Sequence, residues 1–463
     1  MNSRFTDYYR CPAKYAQLAL RAPLSTEKGY FTFGADTICY GSISDRRAAL
    51  TPGEMLHDAR RDVVSDDGVA YLPFDPDEVI DNLQREIYAG DWRQGSNSIL
   101  ALLYYSVRPI LPVNARKHLQ RLFLRGWDKV PFPHWPVDFS VDNLLEELML
   151  LSLRASGAER IPIIWFWPEG KSGCAIMTHD VESREGRDFC PTLMDINDSR
   201  GIKASFQIIP EERYAVSREF LSSIRQRGFE IAIHDLNHDG HLYRSYDDFL
   251  RRAAKINSYA RQYEAAGFRA GVLYRRQLWY DALKCSYDMS VPNVAHLDPQ
   301  RGGCCTVMPY FLGDILELPV TTVQDYSLFN ILNDYSIEIW KRQTTSIMQK
   351  HGLMSFIVHP DYIMGRRERQ VYELLLDYLA QLRQDHAVWI ATPGEVNNWW
   401  RQRAQMRLVE CGNGWRIEGE GKERARIAYA SEVEGHVVLT LDGPGSGNSS
   451  TKTDTGSNLA GVR

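Results

Sequence analysis

The sequence predicts an α/β fold: a deformed (β/α) barrel of seven or eight strands, with an N-terminal mixed α/β accessory region and a small C-terminal β appendage. Three observations lead there. From about residue 160 to 400, short apolar runs alternate with helix-length amphipathic stretches. Three of those runs end in a carboxylate or an imidazole: Cys174–Thr178 leads into His179, Asp180 and Glu182, Phe229–Ile233 into His234, and Leu353–Val358 into His359. At 463 residues the chain also exceeds the ~250–300 beyond which a single core stops growing, so more than one domain is expected. Apolar runs bounded by polar residues read as buried parallel strands, whose carboxyl ends are where α/β folds do their chemistry.

Taken in order, residues 1–160 form the accessory region. It mixes strand-like pieces (Tyr30–Phe33, Thr37–Tyr40) with helical ones, broken by Ser65–Gly68 and by the proline-rich Pro131–Pro136. A helix is expected from Ser140 as N-cap to Gly157 as the stop, with Leu144, Leu145, Leu148, Leu151 and Ala155 on one face. The barrel occupies 161–402. Its strand candidates are 161–167, 174–178, 203–208, 229–233, 268–273, 303–308, 315–320, 353–358 and 387–391. Helices are expected near 216–227, 246–265, 336–350 and 368–384. Residues 403–443 read as the β appendage, and the Gly/Ser/Thr/Asn-rich tail 444–463 as disordered.

Composition narrows the function classes. A net charge of −5 gives no basic surface for nucleic-acid phosphates. The eight cysteines contain no Cys-x-x-Cys spacing and read as reduced core residues; with no signal-peptide h-region at the start, a cytoplasmic protein is expected. The apolar run Ile99–Tyr105 is too short to span a bilayer. The basic stretch Ala115–Arg125 is amphipathic; packing on its own domain is favoured over peripheral membrane contact because Lys117, Arg121 and Arg125 align on one side.

The chemistry concentrates in His234-Asp235-Leu236-Asn237-His238. Two imidazoles at i and i+4 share one side of a helical turn and suit a borderline metal such as zinc. An isolated pair of this kind is more often a solvated loop pair, but here a strand ends directly before His234, and Asp180 and Glu182 stand at another strand end. Two histidines plus one carboxylate leave a coordination position open, the arrangement of hydrolytic zinc sites.

These residues, in this order, resemble the polysaccharide deacetylase family (carbohydrate esterase family 4) over about residues 170–400. Thr178-His179-Asp180-Val181-Glu182 resembles the family's first motif, His234–His238 the second, Gly267-Phe268-Arg269 the third, Asp325-Tyr326 the fourth, and Ile357-Val358-His359 the fifth. The chain departs from the family in having Asp180 and Glu182 separated by Val181, Asp235 after the first histidine, and Ala270-Gly271 in place of prolines. Two carboxylates two residues apart on an extended strand still share a face. The resemblance implies a divalent metal, zinc first, on His234, His238 and one carboxylate. It implies Asp180 as general base with Glu182 as ligand, or the reverse; Arg269 orienting the base; His359 as general acid; and Asp325 supporting His359. His179 and Tyr274 are expected only as substrate contacts.

The resulting expectation is a metal-dependent hydrolase removing the N-acetyl group from an amino sugar in a glycan or glycan precursor. The carbohydrate substrate would be a cytoplasmic one, lipid-linked or nucleotide-linked. Two other readings stand beside it: a hydrolase of another C–N bond, such as a cyclic amidase, and a catalytically silent carbohydrate-binding protein on the same fold.

Overall fold

The computed structural model describes residues 3–21, 23–44, 48–90, 124, 126–412 and 414–442. The apolar run 99–105, the basic stretch 115–125 (Leu124 apart) and the tail 444–463 lie outside the described residues.

Nine strands build the main sheet: β1 (Cys174–Val181), β2 (Ser205–Ile208), β3 (Glu230–His234), β4 (Gly267–Arg269), β5 (Tyr287–Asp288), β6 (Tyr310–Leu312), β7 (Ile315–Glu317), β8 (Leu353–Ile357) and β9 (Trp389–Ala391). Their order is β6-β7-β5-β4-β3-β2-β1-β8, with β9 also paired to β1. Every pair is parallel except β6–β7. This is the expected deformed barrel. No backbone ladder joins β8 to β6 or β7 at the other end of the sheet among the described residues. Hydroxyls bridge the seam instead: Thr321 Oγ1 donates to the Leu353 carbonyl at 2.7 Å and accepts from the Ser355 amide at 2.9 Å, while Thr322 Oγ1 donates to the Ser355 carbonyl at 2.7 Å.

Outer helices return the chain between strands, and their starts are written in the sequence. Ser183, Ser217 and Ser245 each accept from an amide in the first turn of Arg184–Asp198, Arg218–Gln226 and Tyr246–Gln262. Thr392 and Glu395 form a capping box that opens Pro393–Gln405.

Period-two alternation along β1 separates two cores. Ala175, Met177 and Val181 pack beneath the outer helices with Leu193, Ile224 and Leu375. Cys174 and Ile176 face the other way, into a core shared with Phe31, Phe33 and Leu148 of the N-terminal region and with Trp399. The same face of β1 continues to Thr178 and Asp180, so it is apolar at its start and polar at its carboxyl end.

Two strand expectations fail, for identifiable reasons. Residues 161–167 are not a barrel strand: Arg160–Ile164 pairs antiparallel with Ile427–Val433 of the C-terminal hairpin. Residues 303–308 form no strand, because Gly302, Gly303 and Cys305 all have positive φ (124°, 146° and 56°) and turn the chain.

The long helix Ser140–Ser156 ends at Gly157, whose φ is 63°, as expected. Its start differs: Ser140 is the first helical residue, and Asp138 Oδ1 accepts the Ser140 amide at 2.8 Å. One turn on, Asp142 reaches out of the N-terminal region and accepts from Thr306 Oγ1 at 2.8 Å and from the Val307 amide at 3.0 Å. Burial pushes the Asp142 carboxyl up to about 7 from 3.8, against the lowering effect of those two bonds. A raised native pKa stabilises the fold fully below the unfolded value, and that stability is lost as pH rises toward the native value. The sign therefore gives a folding stability that declines between about pH 4 and pH 7 from this group. Asp142→Asn is expected to flatten that slope, measured as the urea midpoint against pH; an unchanged slope contradicts the assignment.

Candidate active site

The site is assembled from the carboxyl ends of β1, β3 and β4 together with the segments after β7 and β8. Asp180 lies on β1, and Glu182 follows one residue past its end. The register pairs Arg269 of β4 with His234 of β3, placing the guanidinium beside the imidazole-bearing strand.

Arg269 is fully buried, and its Nη1 donates to Asp180 Oδ1 at 2.6 Å and to Thr178 Oγ1 at 2.8 Å. Its Nε donates to the Met289 carbonyl at 3.0 Å, which fixes the plane of the fork. Burial would raise the Asp180 pKa, but the Arg269 charge, helped by His234 and His359, holds it below the usual carboxylate value.

His234 and His238 do not sit on a helical turn. The chain leaves β3 through bends with left-handed φ at Asp235 (57°) and His238 (55°). Those bends, rather than helical spacing, bring the two rings to 4.9 Å between centroids. Gly271 makes room for the arrangement: a Cβ there would meet Asp235 Oδ2 at 2.7 Å and His238 Cδ2 at 2.9 Å. The glycine standing where the family has proline therefore serves the packing of this loop.

Glu182 is the hub. Its Oε1 lies 2.9 Å from His238 Nε2, 3.6 Å from His234 Nε2 and 3.5 Å from His359 Nε2. Burial opposes its ionisation, yet the imidazoles, His238 foremost, hold its pKa well below the ordinary value. One ligand atom each from Glu182, His234 and His238 can lie within 4.8 Å of one another. The Nε2 atoms of both histidines are buried and face Glu182 Oε1 without a well-aligned hydrogen bond. His234 Nδ1 faces the Arg269 carbonyl at 3.2 Å, so a proton there leaves the Nε2 lone pair free toward Glu182. Two imidazole nitrogens converging on one carboxylate oxygen form a donor set that fits a divalent ion.

Asp325 and His359 meet at the opposite wall. His359 Nδ1 donates to Asp325 Oδ1 at 2.6 Å, and the His359 amide donates to Oδ2 at 2.7 Å. Burial would lower the His359 pKa, but the Asp325 carboxylate and then Glu182 raise it well above the ordinary imidazole value. Above these groups lies a cavity of about 90 Å³, with Ala270, Val272, Leu273, Leu297, Tyr326 and Tyr362 along its walls.

Arg269 and Asp325 stand buried behind Asp180 and His359, and the other five of the seven residues singled out in the sequence line one cleft. The two expected substrate contacts do not. His179 faces outward from β1 and is buried: its Nδ1 bonds the Val358 carbonyl at 3.1 Å, and burial holds its pKa down to about 4. Tyr274 packs in the outer core. Thr178, which donates to the Phe356 carbonyl and accepts from Arg269, belongs to the site and was legible as the next same-face position before Asp180. Tyr362 lies three residues after His359 on the turn Pro360–Ile363, its amide donating to the His359 carbonyl at 3.1 Å, and this local turn brings the two ring centroids to 4.7 Å.

No family model and no curated protein matches the chain. Solved structures do match. A protein from Mycobacterium smegmatis assigned as a polysaccharide deacetylase is 18% identical over 54% of this chain and 98% of its own, with a TM-score of 0.43. PuuE allantoinase is 10% identical over 51% and 92%, with a TM-score of 0.40. The peptidoglycan deacetylase PdaC from Bacillus subtilis is 13% identical over 50% and 93%, with a TM-score of 0.33.

Proposed function

We propose that this chain is a metal-dependent hydrolase that removes the N-acetyl group from an amino sugar, in a lipid-linked or nucleotide-linked cytoplasmic precursor. The observation that carries the reading is the convergence of Glu182, His234 and His238 between a carboxylate held by arginine and an imidazole held by aspartate. Glu182, His234 and His238 would hold a divalent ion, zinc by the character of the donors, and when bound it supplies Lewis acidity to water and to the acyl carbonyl.

The chain's own residues then divide the proton transfers. Asp180 accepts the proton of the water that attacks the acyl carbon. Arg269 occupies Oδ1 and leaves Oδ2, which lies 3.7 Å from His234 Nε2, for that role. Its charge also keeps Asp180 ionised at neutral pH. His359 donates from Nε2 to the sugar nitrogen as the C–N bond breaks, giving acetate and a free amine. Asp325, on the far side of that ring, keeps the imidazole cationic and its orientation fixed.

The two carboxylates are distinguished experimentally. Asp180→Asn is isosteric, keeps a partner for Arg269 and leaves all three proposed ligands in place. It is expected to retain one divalent ion per chain while kcat falls by roughly 10³-fold, within the range of a lost general base. Loss of the metal together with the rate assigns Asp180 as ligand instead; an unchanged rate removes it from the mechanism.

A further inference from the structure

A second cavity, of about 620 Å³, shares no lining residue with the catalytic cleft. It lies between the N-terminal helix Ser3–Tyr9, the segment 306–314 and the helix Pro393–Gln405. Its size falls within the range of small-molecule sites. Its chemistry is set by two arginines.

Arg403 is 1% exposed, and no carboxylate pairs with it among the described residues. Its Nε donates to the Trp165 carbonyl at 2.9 Å, and its Nη2 to the carbonyls of Tyr8 (2.8 Å) and Ile164 (2.7 Å). Its Nη1 donates to no protein atom among the described residues. Half-buried Arg401 repeats the pattern: Nε bonds Asn397 Oδ1 at 2.9 Å, Nη2 bonds the carbonyls of Ser286 and Asp314, and Nη1 makes no hydrogen bond among the described residues. The guanidinium groups lie over aromatic rings, Arg403 5.0 Å from the Trp400 centroid and Arg401 5.4 Å from that of Phe311.

A buried guanidinium bonded only to neutral carbonyls is a charge without a counter-charge, and this is costly unless an anion completes it. Burial accordingly pushes the Arg403 pKa down to about 9. Carboxylates at the rim do not fill the role. Asp7 is exposed and pairs with Arg10 at 3.0 Å, Arg4 is spent on Asp81 at 2.8 Å, and exposed Asp314 offers Arg401 its backbone carbonyl. Guanidinium forks match carboxylate and phosphate geometry, and aromatic walls take a planar or apolar body.

We propose that this cavity binds an organic anion, its phosphate or carboxylate on the free Nη1 groups of Arg401 and Arg403 and its planar body among Tyr8, Phe311 and Trp400. The site is separate from the hydrolase reading and does not depend on it.

The test is calorimetric titration of the full chain with four probes: uridine monophosphate, uridine, inorganic phosphate and phenylacetate. Uridine monophosphate or phenylacetate is expected to bind at least tenfold more tightly than uridine and inorganic phosphate; whichever of the two binds identifies the anion. Arg401→Gln should weaken that binding at least tenfold while the chain stays folded and any hydrolytic activity is unchanged, and Arg403→Lys should weaken it similarly. The proposal is overturned if neither organic anion binds at millimolar concentration, or if the affinity survives Arg401→Gln.

Discussion

Replacing His234 by alanine is expected to abolish stoichiometric divalent-metal binding and to lower hydrolysis by about 10³-fold or more. The magnitude follows from losing several kcal/mol of Lewis-acid stabilisation, at about 1.4 kcal/mol per factor of ten. His234 is the most informative of the proposed ligands because its geometry is fixed from behind: Nδ1 faces the Arg269 carbonyl, so Nε2 has one direction available. His238→Ala should give the same metal loss while leaving that carbonyl contact untouched. Metal content by elemental analysis and acetate release, measured on the same preparations, check the pair. Full metal occupancy in both variants would place the ion elsewhere.

The second large effect is on stability, and it comes from the N-terminal region. Glu86 and Arg275 form a buried ion pair, with Arg275 Nε donating to Glu86 Oε2 at 2.6 Å and Nη2 donating to Oε1. Arg275 also donates from Nη1 to the Leu273 carbonyl at 2.9 Å, and its backbone is gripped on both sides by the Gln300 amide at 3.0 and 3.1 Å. The segment so held contains Val272 and Leu273, at left-handed φ values of 61° and 53°, and both line the candidate cleft. A β-branched residue in that region is strained and persists only where its surroundings impose it. Glu86→Ala leaves Arg275 buried and unpaired, so a loss of roughly 3–5 kcal/mol is expected, read as a lower urea midpoint at constant m. A loss below about 1 kcal/mol would mean the pair is not buried in solution. The N-terminal region thus supports one wall of the site.

How much of this was legible in the sequence depended on whether the determining interaction was local. The strands leading to Asp180, His234 and His359 could be read because each is a short apolar run bounded by polar residues. The partition between Thr178 and Asp180 on one face and His179 on the other follows from a period of two. The helices Arg184–Asp198 and Pro393–Gln405 carried signals that went unused, a serine N-cap and a capping box. The run 161–167 looks like any other buried strand, but which sheet it joins is decided by a hairpin more than 260 residues away in sequence, at Ile427–Val433. The i, i+4 spacing of His234 and His238 singled out a pair that the fold does bring together, but by another local geometry, since two left-handed residues replace the helical turn. Glu86–Arg275, Asp142–Thr306 and the Thr321–Thr322 seam are contacts between distant segments, and no local pattern encodes them.

Metal-dependent deacetylation is measured as acetate release from N-acetylhexosamine conjugates, with the protein first stripped of metal and then reloaded with one equivalent of zinc. The reloaded protein is expected to give acetate and free amine in equal amounts, the stripped protein none, and Asp180→Asn acetate at roughly a thousandth of the rate. Ring-opened product without acetate from a cyclic amide, or a reloaded protein that releases no acetate from any conjugate, would contradict it.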